Sequence, residues 1–242
     1  MILMYHYIGE PPPSELDHRA LYVLPKEFEH QLLQLKRMGI RSVSPAEYEA
    51  ALDAGELRGI VWITFDDGHL DNYAEAFPLL KKHGFTATFF VIAARMMEST
   101  PGFATAAQLR EMAGSGMTIG SHSLTHPRLA KIPREEMRRE VSKSRASLEG
   151  AVGHPVTAFC YPYGNWDPGV VRAVEEAGYS LAVSTIRDNR NALAQRYYLN
   201  RAMVQPGRVG WRFRYLFSPL YHFIHASKNR RRWKHAQQDN GA

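Results

Sequence analysis

Cysteine is nearly absent from this chain. A single residue among 242, Cys160, excludes an intramolecular disulfide and is consistent with a reducing compartment. Long hydrophobic runs are missing too: no stretch approaches the roughly 18 consecutive apolar residues of a membrane-spanning helix. The opening Met1-Ile2-Leu3-Met4-Tyr5-His6 has no basic region, no extended apolar stretch and no small-residue cleavage site, so no export signal is read from it. There is also no Gly-x-Ser-x-Gly turn, which argues against a serine nucleophile on a strand-to-helix elbow. Excess charge is confined to one place. The net charge is +6, and residues 228–235 read Lys-Asn-Arg-Arg-Arg-Trp-Lys-His, five cations in eight positions.

What is present is an ordinary globular composition, 45% hydrophobic and 22% charged, sufficient for a core. The length is one that an α/β barrel often fills as a single domain. Apolar patterning predicts strands at 2–7, 41–43, 60–65, 86–92, 117–120, 156–161, 178–184 and 197–202. Helices are expected between them at 25–38, 45–53, 72–83, 105–113, 134–149 and 168–177. In the first helix Phe28, Leu32, Leu35 and Met38 recur at helical spacing; the apolar run 60–65, bounded by Gly59 and Gly68, reads as a central strand. Strand–helix repetition argues for a parallel sheet wrapped by helices. Seven or eight such units suggest a barrel.

Three short motifs fall at predicted strand ends, the face where α/β folds gather catalytic groups. Thr64-Phe65-Asp66-Asp67-Gly68 delivers two adjacent carboxylates into a turn. Such neighbours repel unless a cation intervenes, and a metal resolves the conflict by binding one and leaving the other as a base. In Ser121-His122-Ser123-Leu124-Thr125-His126 the two imidazoles are four apart, interleaved with hydroxyls and followed by Pro127. One Asp with two His fits a catalytic metal site with an open position, and a metal with a spare carboxylate is the minimum apparatus for hydrolysis. Tyr161-Pro162-Tyr163-Gly164 combines a fixed backbone with a residue that permits close approach, and an N–H of such a turn can meet a developing oxyanion.

In these residues the chain resembles the polysaccharide deacetylase family, carbohydrate esterase family 4, which carries the NodB-homology domain. The family's TFDDG motif is complete at 64–68, and its H-S/T-x-x-H pattern is matched by His122-Ser123-Leu124-Thr125-His126. Its R-x-P-Y-G motif is matched in part, with Cys160 at the arginine position. The Tyr-Pro-Tyr-Gly form, like Tyr5-His6, is similar to the subset that deacetylates poly-N-acetylglucosamine. The resemblance covers residues 1–205, the expected catalytic domain. It implies an α/β fold, a distorted (β/α) barrel of the NodB-homology type, and metal-dependent N-deacetylation of an amino sugar. It further implies that Asp67, His122 and His126 hold a divalent metal, zinc ahead of cobalt or nickel. Asp66 is then the general base, and the Tyr163 backbone N–H joins the metal in stabilising the oxyanion. Tyr161, Pro162, Gly164, Trp166 and His69 are the expected substrate-binding residues, Trp166 resembling the family's aromatic groove wall.

Two features depart from the family. For the arginine missing at Cys160, Arg201, after a late strand, is the candidate substitute. The late L-x-H motif that supplies a general acid has no counterpart after residue 184. His6, at the predicted end of the first strand, is ranked ahead of His222 for that role.

Residues 206–242 form a separate reading. Aromatics and cations interleave from Trp211 to Ile224, which suits a cap on the barrel or an interfacial anchor meeting anionic lipid. With no export signal read, the expectation is a cytoplasmic protein, peripheral on the inner face of the membrane, whose N-acetylated sugar substrate is lipid-linked, a glycolipid or polymeric. Nucleic acid is not an expected partner. Alternatives are a deformylase or other amide hydrolase on a lipid-linked amino sugar, and an inactive carbohydrate-binding barrel; the intact metal set argues against the last.

Overall fold

The computed structural model describes the backbone of residues 1–238, with side chains through Ala226 and at Lys228 and Asn229. Its strands are β1 (Ile2–Tyr5), β2 (Tyr7–Ile8), β3 (Tyr22–Val23), β4 (Arg41–Ser42), β5 (Ile60–Phe65), β6 (Thr88–Val91), β7 (Thr118–Ser121), β8 (Ala158–Cys160), β9 (Leu181–Arg187) and β10 (Leu199–Met203). The helices are α1 (Pro25–Arg37), α2 (Pro45–Ala54), α3 (Phe77–His83), α4 (Ala93–Met97), α5 (Ala106–Gly114), α6 (Arg134–Val152), α7 (Pro168–Glu176), α8 (Trp211–Arg214) and α9 (Pro219–Gln238).

Among the described residues every pairing between these strands is parallel. The order β1-β10-β9-β8-β7-β6-β5 closes through a β1–β5 pairing, giving a seven-stranded barrel, and β4 adds to β5. The expected (β/α) barrel is therefore the fold. Period-two alternation sorts the strand residues into two apolar layers. Val61, Ile63 and Phe65 join the layer packed under the helices. Ile2, Trp62, Phe90, Ala158, Cys160, Leu181, Val183 and Leu199 form a second cluster, which fills the barrel. Tyr48 and Leu52 of α2 belong to that second cluster, with Tyr48 5.4 Å from the Trp62 ring, so α2 plugs one end. Gly120 makes room inside: a Cβ there would lie 2.5 Å from the Phe90 ring.

Local chemistry explains the element ends. Capping boxes start α2 (Ser44 with Glu47) and α5 (Thr105 with Gln108), and Asp167 caps α7 through the Val170 N–H. The helix expected over 72–83 is split. Pro78 has no N–H to give, and the Phe77 N–H reaches back to Asn72 O, which makes Asn72–Ala76 a π-helical turn before α3. The strand expected over 2–7 breaks at His6, and β9 begins three residues later than expected and runs on to Arg187.

No α-helix joins β9 to β10. The C-terminal α9 packs along β9 instead, and Asn229 Nδ2 donates to Arg187 O at 2.9 Å. Phe213, Leu216 and Tyr221 of this segment are buried in the main core. Asn189 Nδ2 donates to Leu216 O and Ser218 O, both at 2.8 Å. Of the basic run 228–235, the side chains of 230–235 lie outside the described residues, as do residues 239–242. Among the described residues no helix is long and apolar enough to cross a membrane.

Candidate active site

The alternation that sends Trp62 and Thr64 into the barrel makes Asp66 the next inward residue, at the C-terminal mouth. Asp66 is buried, and Arg201 on β10 reaches it from within the barrel. Arg201 Nη1 donates to Asp66 Oδ1 and Nη2 to Oδ2, each at 2.7 Å. The remaining donors are also used: Nε on Ser184 O at 2.8 Å, Nη1 on Thr64 Oγ1 at 3.1 Å, and Nη2 on Cys160 Sγ at 3.2 Å. Burial alone would raise the Asp66 pKa. The Arg201 charge and its two hydrogen bonds outweigh that, with His6 and His122 adding to them, and hold the carboxyl below its ordinary value. Thus β8 supplies a thiol where the family motif has a guanidinium, and a guanidinium arrives from β10.

Asp67 turns away from its neighbour in a left-handed conformation, φ 76°. Its Oδ1 lies 3.4 Å from His122 Nε2 and 3.5 Å from His126 Nε2, and the two imidazole nitrogens are 3.1 Å apart. An ion with four bonds of about 2.0–2.1 Å has ligand-to-ligand edges of roughly 3.3–3.4 Å. The three atoms therefore have a spacing that one face of a tetrahedral site would require, and a carboxylate with two imidazoles is a donor set suited to zinc. His122 Nδ1 is 2.8 Å from Cys160 O, an acceptor only, so Nδ1 carries the proton and Nε2 presents its lone pair. Burial, followed by the His122 neighbour, lowers His126 to about 4. Burial would raise Asp67, but the His122 and His69 imidazoles beside it keep it well below the usual range.

The loops around this triangle are held under strain. Ser123 (φ 65°), His126 (φ 69°) and Tyr163 (φ 57°) share the left-handed region with Asp67, each at a cost on the order of 1–3 kcal/mol. Glu140, buried on α6, provides the compensation for the histidine loop. It accepts from Leu124 N at 2.9 Å, Thr125 N at 2.8 Å and Thr125 Oγ1 at 2.7 Å. Ser123 Oγ accepts the His126 N–H at 2.9 Å. In the third motif Gly164 has no alternative: at φ 63° its Cβ would stand 2.0 Å from Thr185 Oγ1.

The other candidates are distributed unevenly. His6 Nε2 is 3.9 Å from Asp66 Oδ2, its carbonyl accepts from Asn72 Nδ2 at 2.8 Å, and burial lowers its pKa against the pull of both aspartates. His69 Nε2 is 3.4 Å from Asp67 Oδ2, with its ring stacked on Tyr7 at 3.9 Å and tilted to Phe103 at 4.9 Å. Tyr163 is 55% exposed at the mouth, 4.6 Å from the His126 ring and under the Arg128 guanidinium at 4.4 Å. Three expected substrate contacts sit elsewhere. Trp166 is buried and stacked on Tyr198 at 4.8 Å, so it is core rather than groove wall. Tyr161 is fully buried with its hydroxyl on Tyr197 O, and Pro162 is buried as well. His222 is engaged by Asp188, at 2.9 and 3.0 Å from its two oxygens. Glu140 and Asn72 went unnamed in the sequence reading. An acid on the apolar stripe Met137, Val141, Leu148, Val152 was the available signal for Glu140.

Fold and site together define a closed parallel β/α barrel with a carboxylate–imidazole group that could hold a metal ion and a buried acid–guanidinium pair at its mouth. The polysaccharide deacetylase family profile matches residues 55–182. A Bacillus subtilis relative named as a polysaccharide deacetylase, YxkH, is 32% identical over 214 residues, covering 88% of this chain and 74% of the relative. The Streptococcus pyogenes deacetylase PplD, solved in complex with acetate, superposes with a TM-score of 0.85 at 30% identity, covering 90% of this chain and 97% of that one. The Staphylococcus aureus poly-β-1,6-N-acetyl-D-glucosamine N-deacetylase is 25% identical over 195 residues, 74% of this chain and 66% of the relative. The chain belongs to the polysaccharide deacetylase family, hydrolases of the N-acetyl amide bonds of polysaccharides.

Proposed function

We propose that this chain hydrolyses N-acetyl groups of an amino sugar within a saccharide chain; its relatives are named for peptidoglycan, chitooligosaccharides and poly-β-1,6-N-acetyl-D-glucosamine. The observation that carries the reading is the triangle of ligand atoms from Asp67, His122 and His126 beside the buried Asp66–Arg201 pair. These three residues would hold a divalent ion, zinc by donor set. When bound, such an ion polarises the amide carbonyl and lets water attack near neutral pH. Asp66, kept ionised and fixed in orientation by Arg201, accepts the proton of the attacking water. The Tyr163 N–H, on its strained turn, donates toward the oxyanion. His6, with its Nε2 3.9 Å from Asp66 Oδ2, takes that proton from the Asp66 carboxyl and passes it to the departing amine, so that both groups end as they began. The acetate bound by PplD is the expected product of the same bond cleavage.

Acetate release from β-1,4- and β-1,6-linked N-acetylglucosamine oligomers, with N-formylated oligomers alongside, tests this. Asp66→Asn is expected to lower kcat by about 10²–10⁴ with metal content unchanged. A metal-loaded protein that frees acetate from none of these oligomers overturns the reading, and release of formate alone reassigns it to a deformylase.

A further inference from the structure

The acidic residues of this chain stop at Asp188 and resume at Asp239. Over residues 206–238 there are eight lysines and arginines and no aspartate or glutamate. The same segment leaves part of its apolar surface uncovered. While Phe213, Leu216 and Tyr221 enter the core, Trp211 is 75%, Phe223 69%, Leu220 56% and Ile224 45% exposed. Leu220, Phe223 and Ile224 stand at i, i+3 and i+4 of α9 and so share one face. Trp211 and Leu220 both line a groove of about 840 Å³, walled also by Tyr22 and Leu24 and rimmed by Arg19, Arg208 and Arg212.

We propose that this face docks on the surface of an anionic bilayer, with Trp211, Leu220, Phe223 and Ile224 in the headgroup layer and the arginines on lipid phosphates. Aromatic and aliphatic side chains ringed by Arg and Lys are the composition that partitions to such an interface. A second copy is a poor occupant, because a symmetric contact would set this cation-only segment against itself. The groove also adjoins the mouth. Its Tyr22 stacks on Tyr7 at 4.1 Å, Tyr7 on His69 at 3.9 Å, and His69 touches Asp67. Docking there brings the metal-binding group close to the lipid surface, within reach of a saccharide presented from it.

The test is co-sedimentation of the full chain with vesicles of equal parts phosphatidylglycerol and phosphatidylcholine, against phosphatidylcholine alone. Binding is expected to the anionic vesicles, with tryptophan fluorescence quenched by brominated acyl chains and that quenching reduced in Trp211→Phe. The triple variant Leu220→Ser, Phe223→Ser, Ile224→Ser is expected to bind about tenfold or more weakly with an unchanged melting temperature. Arg212→Glu is expected to weaken the preference for anionic lipid and retains Leu220, Phe223 and Ile224. Equal binding by the triple variant, absence of binding at low salt, or full competition by polyglutamate without lipid quenching would each overturn the proposal. So would a dimer in sedimentation equilibrium that the triple variant dissolves.

Discussion

Asp66 and Asp67 are neighbours in sequence with opposite surroundings. The inward phase of β5 carries Asp66 onto a guanidinium that occupies both its oxygens, whereas the left-handed turn at Asp67 directs that carboxylate to the two imidazoles. A buried ion pair of this kind is costly to break from one side. Arg201→Ala leaves the Asp66 charge uncompensated and is expected to lower unfolding stability by about 3–5 kcal/mol, measurable by chemical denaturation. Arg201→Lys is expected to recover only part of this, since an ammonium cannot reproduce two parallel bonds to one carboxylate. At this scale the sequence was most informative about residue types at strand ends. It named Arg201 by the gap at Cys160, but the contact itself joins positions 135 residues apart.

At the scale of elements, the histidine loop depends on α6. Glu140 satisfies two backbone N–H groups and a hydroxyl there. Glu140→Ala is expected to reduce metal affinity by about 10–100-fold, read by competition with a chromophoric chelator, with kcat recovered at saturating metal. Where β2 packs against the π-helical turn, Asp71 is a half-buried acid. Asp71 accepts from Ile8 N at 3.1 Å and Asn72 Nδ2 at 2.7 Å, yet burial pushes its carboxyl up to about 6 from 3.8. A carboxyl that holds its proton more tightly folded than unfolded loses stability as pH rises between those two values, here by up to about 3 kcal/mol. Asp71→Asn is expected to flatten that slope in denaturation series from pH 4 to 6. The π-helical turn escaped the periodicity reading because one extra residue in a helical turn leaves the apolar spacing nearly intact. Only Pro78 hinted at the break.

For the whole molecule, the barrel closes by pairing the first strand with both β5 and β10, and the C-terminal α9 packs along β9. Removing residues 206–242 strips Phe213, Leu216 and Tyr221 from the core. At about 1.5–3 kcal/mol per buried large side chain, the loss is roughly 5–9 kcal/mol, comparable with the entire stability of a domain. The truncated chain is expected to aggregate or melt far below the full chain in calorimetry. The division at residue 205 therefore follows the family resemblance and not the core.

The sequence by itself determined the strand–helix alternation, the placement of Asp66-Asp67, His122 and the Tyr-Pro-Tyr-Gly turn at strand ends, and hence the barrel and its chemical class. Each rests on local periodicity or on residues within a few positions of one another. Only the tertiary structure decided that Arg201 clamps Asp66, that Glu140 ties the histidine loop, and that Trp166 and Tyr161 are core. Those facts depend on strand register around a closed barrel, which brings side chains together from anywhere in the chain. No window along the sequence contains that closure.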